Sequence, residues 1–110
     1  MIDLSGIADI LATYRKYGWL LRRVLLTERL RGSIGDDIRA TFGGVPIVPS
    51  DIDAAWFSRD PQSGSTPWEI RHLSANPYAL VEHVDESSAD FEATLADVEG
   101  RLRAAVRRNL

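Results

Sequence analysis

Six side chains form the raw material for proton transfer in this 110-residue chain: His72, His83, Glu69, Glu82, Asp51 and Asp53. His72 and His83 fall on the two strands of one expected hairpin, a placement that makes them candidate cross-strand neighbours with Glu69, Arg71 and Glu82 beside them. Alternating polar residues on a solvated sheet face give the same list, so no catalytic residue is assigned. The chain has no Cys, which removes thiol chemistry. Two histidines and scattered carboxylates fall short of a zinc ligand set, and neither a metal nor a cofactor is expected. Gly43-Gly44 lacks the lysine and the glycine spacing of a phosphate-binding loop, and neither a nucleophile elbow nor a metalloprotease helix signature is present.

Aromatic and basic residues supply the binding candidates. Trp56 and Phe57 are adjacent, so in a strand they point to opposite faces and cannot share one core. One of them must be covered by a helix, a second subunit or a ligand, and the indole N–H also needs a partner. Trp19 and Trp68 read as core anchors at the starts of their strands. Arg22 and Arg23 are likewise adjacent, and alternation assigns one arginine to each sheet face, the inward one needing a carboxylate such as Glu69 or Glu82. Trp56, Phe57, Trp68, Arg22 and Arg23 are therefore the interface or ligand candidates.

Charge is segregated along the chain. Arg15, Lys16, Arg22, Arg23, Arg29 and Arg31 are accompanied only by Glu28 within seventeen residues, whereas Glu82 to Glu99 holds seven carboxylates and no Lys or Arg. A basic run can track phosphates, yet the chain carries a net charge of −3, against the positive total of nucleic-acid domains. Solvated faces and charge pairing, within the chain or from subunit to subunit, are the expected explanation, and nucleic-acid binding through Arg15 to Arg31 stands third among the functional readings.

The elements that must position these residues follow from periodicity and punctuation. Leu4, Ile7, Leu11, Tyr14 and Tyr17 form a helical stripe over 2–18, with Asp3 as N-cap, Ile2 and Ile7 as a hydrophobic staple, and Gly18 as the stop. Gly6 in the first turn argues mildly against it. Residues 19–26 fit a helix or a strand, and Gly18 favours a central strand. A helix broken by Gly32 and Gly35 is expected between Thr27 and Thr41, then a connector from Phe42 to Pro49, where two prolines oppose regular pairing. Ser50 to Asp53 reads as an N-cap and one helical turn. Strands are expected at Ala54–Arg59, Trp68–Leu73 and Tyr78–Val84, separated by a turn-rich loop over 60–67 and a tight connection over 74–77. Phe91, Leu95, Val98, Leu102 and Ala105 or Val106 then stripe a long C-terminal helix, with Ser87 and Asp90 at capping-box spacing and Arg101, Arg103, Arg107 and Arg108 toward its end.

These elements define a single α+β domain: a mostly antiparallel sheet of about four strands, with an N-terminal, a short middle and a long C-terminal helix packed on one face. No apolar run approaches the roughly 20 residues of a membrane span, and no secretory signal is visible, so a cytoplasmic protein without a membrane partner is expected. The leading functional expectation is a non-catalytic domain acting by protein–protein contact or as a homo-oligomer, most simply a homodimer. Its rival is a small-ligand binder or enzyme with a pocket near Trp56 and Trp68.

Overall fold

In the computed structural model, residues 2–61 and 64–108 are described, and they build a five-stranded sheet in the order β2-β1-β3-β4-β5. The strands are β1 (Leu20–Leu26), β2 (Ile47–Pro49), β3 (Ala54–Ser58), β4 (Thr66–His72) and β5 (Ala79–Val84). β1 and β2 pair in parallel, and the other pairings are antiparallel. The helices are α1 (Leu4–Lys16), α2 (Glu28–Ile34), α3 (Ile38–Phe42) and α4 (Phe91–Arg108), with a 3₁₀ turn at Gly35–Asp37 between α2 and α3. The α+β class stands, with five strands rather than about four.

The first helix is built as its residue types dictate. The Asp3 carboxylate accepts from Gly6 N at 2.8 Å, which satisfies one of the orphan donors of the first turn. Gly6 has a packing reason, because a Cβ there would stand 2.8 Å from Ile2 Cγ1. At the other end Gly18 adopts φ 87°, Trp19 N donates to Tyr14 O at 3.0 Å, and Gly18 N donates to Arg15 O at 3.1 Å. This pair of bonds is a Schellman termination. It turns the chain directly into β1, resolving residues 19–26 in favour of a strand beginning at Leu20.

The fifth strand comes from the expected connector. Ile47, Val48 and Pro49 align with Val24, Leu25 and Leu26, Pro46 O accepts from Val24 N at 3.0 Å, and Ser50 N donates to Leu26 O at 2.9 Å. Prolines are tolerated because this is an edge, where a residue without an N–H can still accept. Pro67 is accommodated similarly: β4 starts at Thr66 rather than Trp68, and Pro67 O accepts from Arg59 N at 3.1 Å. Gln62 and Ser63 of the expected 60–67 loop lie outside the described residues. Ser50–Asp53 is a bend rather than a helical turn, since Ser50 Oγ takes Ile52 N at 3.3 Å while Asp53 Oδ1 takes Thr27 N at 2.7 Å. The box at Ser87 and Asp90 does not form. Ser87 turns back to Asp85 at 2.6 Å, and Ser88 Oγ instead accepts from Asp90 N at 3.1 Å just before α4 begins.

The helices divide between the two faces instead of sharing one. Every residue of β3 is buried, and its side chains alternate into separate cores. Trp56 packs with Trp68, Ile70, Leu95, Val98 and Leu102 beneath α4, whereas Phe57 packs with Ile7, Val24, Leu26 and Leu30 beneath α1 and α2. The two layers are also displaced sideways: α4 lies on β4 and β5, while α1 and α2 lie on β1. Consequently the face of β5 turned away from α4, carrying Ala79, Val81 and His83, is exposed.

Leu95, 1% exposed at the centre of the α4 contact, provides the stability test. Leu95→Ala is expected to lower the unfolding free energy by about 2–5 kcal/mol in a urea titration. A loss below about 1 kcal/mol would mean that α4 does not seal this core.

Candidate functional site

The adjacent arginines are brought to one side of the sheet, not to two. Leu21 faces Phe57 and Arg23 faces Trp56, so the register slips by one residue at Arg22. This is a β-bulge, which interrupts alternation and turns two consecutive side chains toward the same layer. Arg22 lies over the Trp68 ring, 5.0 Å from its centroid, and Arg23 reaches Glu92 in the first turn of α4. Arg22, Arg23 and Trp68, three of the five candidates, therefore meet with Pro46, Glu86 and Phe91 around a cleft of about 440 Å³.

The cleft's charges are already paired internally. Arg23 donates through both terminal nitrogens to the Glu92 carboxylate at 2.9 Å each, a bidentate geometry that holds the Glu92 carboxyl below its ordinary range. Arg22 donates to Ser58 Oγ at 3.1 Å and stands 3.7 Å from Glu86, whose carboxylate also accepts from Trp68 Nε1 at 2.9 Å. The partners are Glu92 and Glu86 rather than Glu69 or Glu82. A phosphate or carboxylate ligand would have to displace one of them. Because Glu92 is 69% exposed, its ion pair stabilises the fold by at most about 1 kcal/mol. The arrangement serves as a tether between β1 and the start of α4.

Trp56 and Phe57 sit elsewhere, at 0% and 1% exposure. The Trp56 indole donates to Glu99 Oε2 of α4 at 2.8 Å, and Tyr14 of α1 stacks on Phe57 at 4.0 Å between centroids. The chain's own two helical layers supply the cover that alternation demanded. Trp56 is fully buried, and Trp68 lines the paired cleft.

The acid–base candidates are dispersed as well. His72 continues the α4-facing side of β4, whereas His83 is the register partner of Pro67 on the opposite face, so the histidines are not neighbours. Glu69 and Arg71 share a face with each other but not with Glu82, which lies opposite Trp68 and 3.5 Å from Arg101. Asp51 joins Arg103 and Arg107 at 2.8 and 3.1 Å, while Asp53 accepts from Thr27 N at 2.7 Å and is near enough to His72 to act on its charge. Among the described residues no three His, Asp or Glu side chains are grouped to hold a metal ion.

One polar cluster escaped the sequence reading. The Tyr14 hydroxyl donates to Glu69 Oε2, and burial first, then that hydrogen bond, raises the phenol above its ordinary range. Tyr14 thus remains a protonated donor. Arg71 Nη1 donates to the carbonyls of His72, Ser74 (3.3 Å) and Asn76 (3.1 Å), so the guanidinium clamps the β4–β5 connection. A stripe position on α1 and a strand carboxylate gave no advance sign of meeting, because the contact depends on where α1 lands on the sheet.

The chain matches no protein-family model, no curated protein and no solved structure at a significant level. No helix of the described residues is long and apolar enough to cross a membrane.

Two outcomes are expected. Burial holds the His72 imidazole below its ordinary value of 6.5, with Asp53 opposing and Arg71 reinforcing the shift. The unfolded chain then gains a proton near pH 6.5 that the folded chain takes up only at lower pH, so stability is lost as pH falls below that value. Urea midpoints taken from about pH 7.5 down to about pH 5.5 should drop further for the native chain than for His72→Gln. Equal drops would remove His72 from the account. For nucleic acid, Arg22 and Arg23 lie on the α4 side, whereas Arg15 and Lys16 on α1 and Arg29 and Arg31 on α2 belong to the opposite layer. A DNA or RNA titration should accordingly show no tight, steeply salt-dependent binding.

Proposed function

We propose that this chain is a non-catalytic cytoplasmic domain that acts through protein–protein contact, as a homodimer. The observation that carries the reading is the uncovered part of the sheet. Offset layering leaves Ala79, Val81 and His83 exposed on one face of β5, with Val81 at 48%. A neighbouring recess of about 220 Å³ is lined by Thr13, Tyr14, Tyr17, Trp19 and Glu69, and Tyr17 is 60% exposed. Glu69 is the register partner of Val81, so the recess and the strand form one continuous surface. Exposed apolar side chains grouped around an open sheet face have the character of an association surface rather than of scattered surface residues.

The chemistry of the remaining groups supports the non-catalytic half of the reading. The arginines of the cleft are satisfied by Glu86 and Glu92, Tyr14 is held protonated, and His72 and His83 are separated by the sheet. A general acid–base pair needs two groups within reach of one substrate atom; the two histidines and Tyr14 are not grouped in that way, and the Asp53 carboxylate near His72 is engaged by Thr27 N.

Light scattering coupled to gel filtration tests this directly. A mass of twice 12.2 kDa is expected in the micromolar range. A monomer persisting at high micromolar concentration would contradict the homodimer.

A further inference from the structure

We propose that the two copies join by antiparallel pairing of their β5 edges, in a register centred on Val81, so that two five-stranded sheets become one. The proposal rests on the homodimer reading above and assigns the contact to the edge of the same strand rather than to its exposed face.

The sheet has two edges, and they differ in how they are protected. β2 is three residues long, and since Pro46 O and Ser50 N bond to β1, its outward positions are Ile47 and Pro49, of which Pro49 has no donor. Such features block the addition of another strand. β5 is six residues long and contains no proline, lysine or arginine. Its outward backbone groups follow from the pairing with β4. His72 N donates to Tyr78 O at 2.9 Å, which sets the alternation along the ladder: Leu80 and Glu82 exchange bonds with Ile70 and Trp68, leaving the N–H and C=O groups of Ala79, Val81 and His83 directed away from β4. Pro67 agrees with this phase, since its partner His83 calls on no donor from it.

Two constraints select the register. In a continuous sheet, directly opposed residues must share a face, so odd residues of β5 must meet odd residues and even must meet even. A two-fold axis must therefore pass through a residue position, and only centres at Val81 or Glu82 pair five residues of the strand with themselves, 79–83 or 80–84. A centre at Glu82 sets two carboxylates against each other in the closely spaced, non-hydrogen-bonded type of pair. A centre at Val81 sets Val81 against Val81, Ala79 against His83 and Leu80 against Glu82, with no like charges opposed. Its odd–odd pairs are also the ones whose free N–H and C=O groups point at each other.

The chain lacks cysteine, so single-cysteine variants report the register without background. Val81→Cys, placed at the axis, is expected to form a disulfide-linked dimer under mild oxidation, because opposed Cα atoms about 5.5 Å apart lie within disulfide range. His83→Cys is expected to stay unlinked, since its copies are several residues apart along the strands. Val81→Pro removes only an outward N–H, and its far-UV dichroism should match the native chain while its dimer dissociation constant rises by about a hundredfold or more. A native dimer in which His83→Cys links in preference to Val81→Cys would overturn the register. A native dimer that neither cysteine links and that Val81→Pro leaves intact would overturn the edge pairing while leaving the homodimer standing elsewhere. A monomeric native chain would contradict both.

Discussion

The alternation of a β-strand at Trp56-Phe57 is the constraint on which the rest of the structure depends. β3 is paired on both sides and buried along its whole length, and its two largest side chains point in opposite directions. Neither can be left in water without forfeiting apolar burial on the order of 2–3 kcal/mol, so the sheet requires a layer on each face. α4 supplies one and α1 with α2 the other. A chain of this length has too little helix to cover both faces of five strands. The layers settle diagonally, which gives β3 complete burial and leaves part of β4 and β5 bare.

Local devices then fix where each layer sits. The bulge at Arg22 sends two guanidiniums to the α4 side, where Glu92 and Glu86 hold the approach to the helix. Glu99 meets the Trp56 indole further along α4, so the buried N–H is satisfied and helix and central strand are keyed together. On the other side, the Schellman turn at Gly18 brings α1 back over β1, and the Tyr14–Glu69 hydrogen bond and the Tyr14–Phe57 stack fix its lateral position. The acidic run from Glu82 to Glu99 thereby finds intramolecular partners at Arg22, Arg23 and Arg101.

Much of this was readable in the residues themselves, and what was not has physical reasons. α1 and α4 announced themselves because an amphipathic stripe and its caps are local: Asp3, Gly18 and the Leu95, Val98 and Leu102 spacing act within one element. The opposite facing of Trp56 and Phe57 was also readable, but what covers them depends on where distant helices pack. β2 was hidden because its prolines signal a break, and only its edge position makes them harmless. The Arg22 bulge was hidden because one extra residue is defined only against a partner strand, and two residues of the same type show no phase. The box at Ser87 and Asp90 was not realised because both groups find nearer partners, the Ser87 hydroxyl at Asp85 and the Asp90 N–H at Ser88 Oγ, before α4 begins. The open face of β5 appears only once the offset between the layers is known.

Amide hydrogen exchange resolved by residue tests the central claim most directly, because it measures which strands open and which face water. The account places the slowest amides in β3, at Ala55, Trp56 and Phe57, exchanging only through global unfolding, with their protection lowered in step when Leu95 is truncated. It places the outward amides of Ala79, Val81 and His83 among the fastest of the sheet in the dissociated monomer, where no second copy pairs with them. Amides of β3 that exchange as quickly as these would contradict a structure organised around a strand buried on both faces.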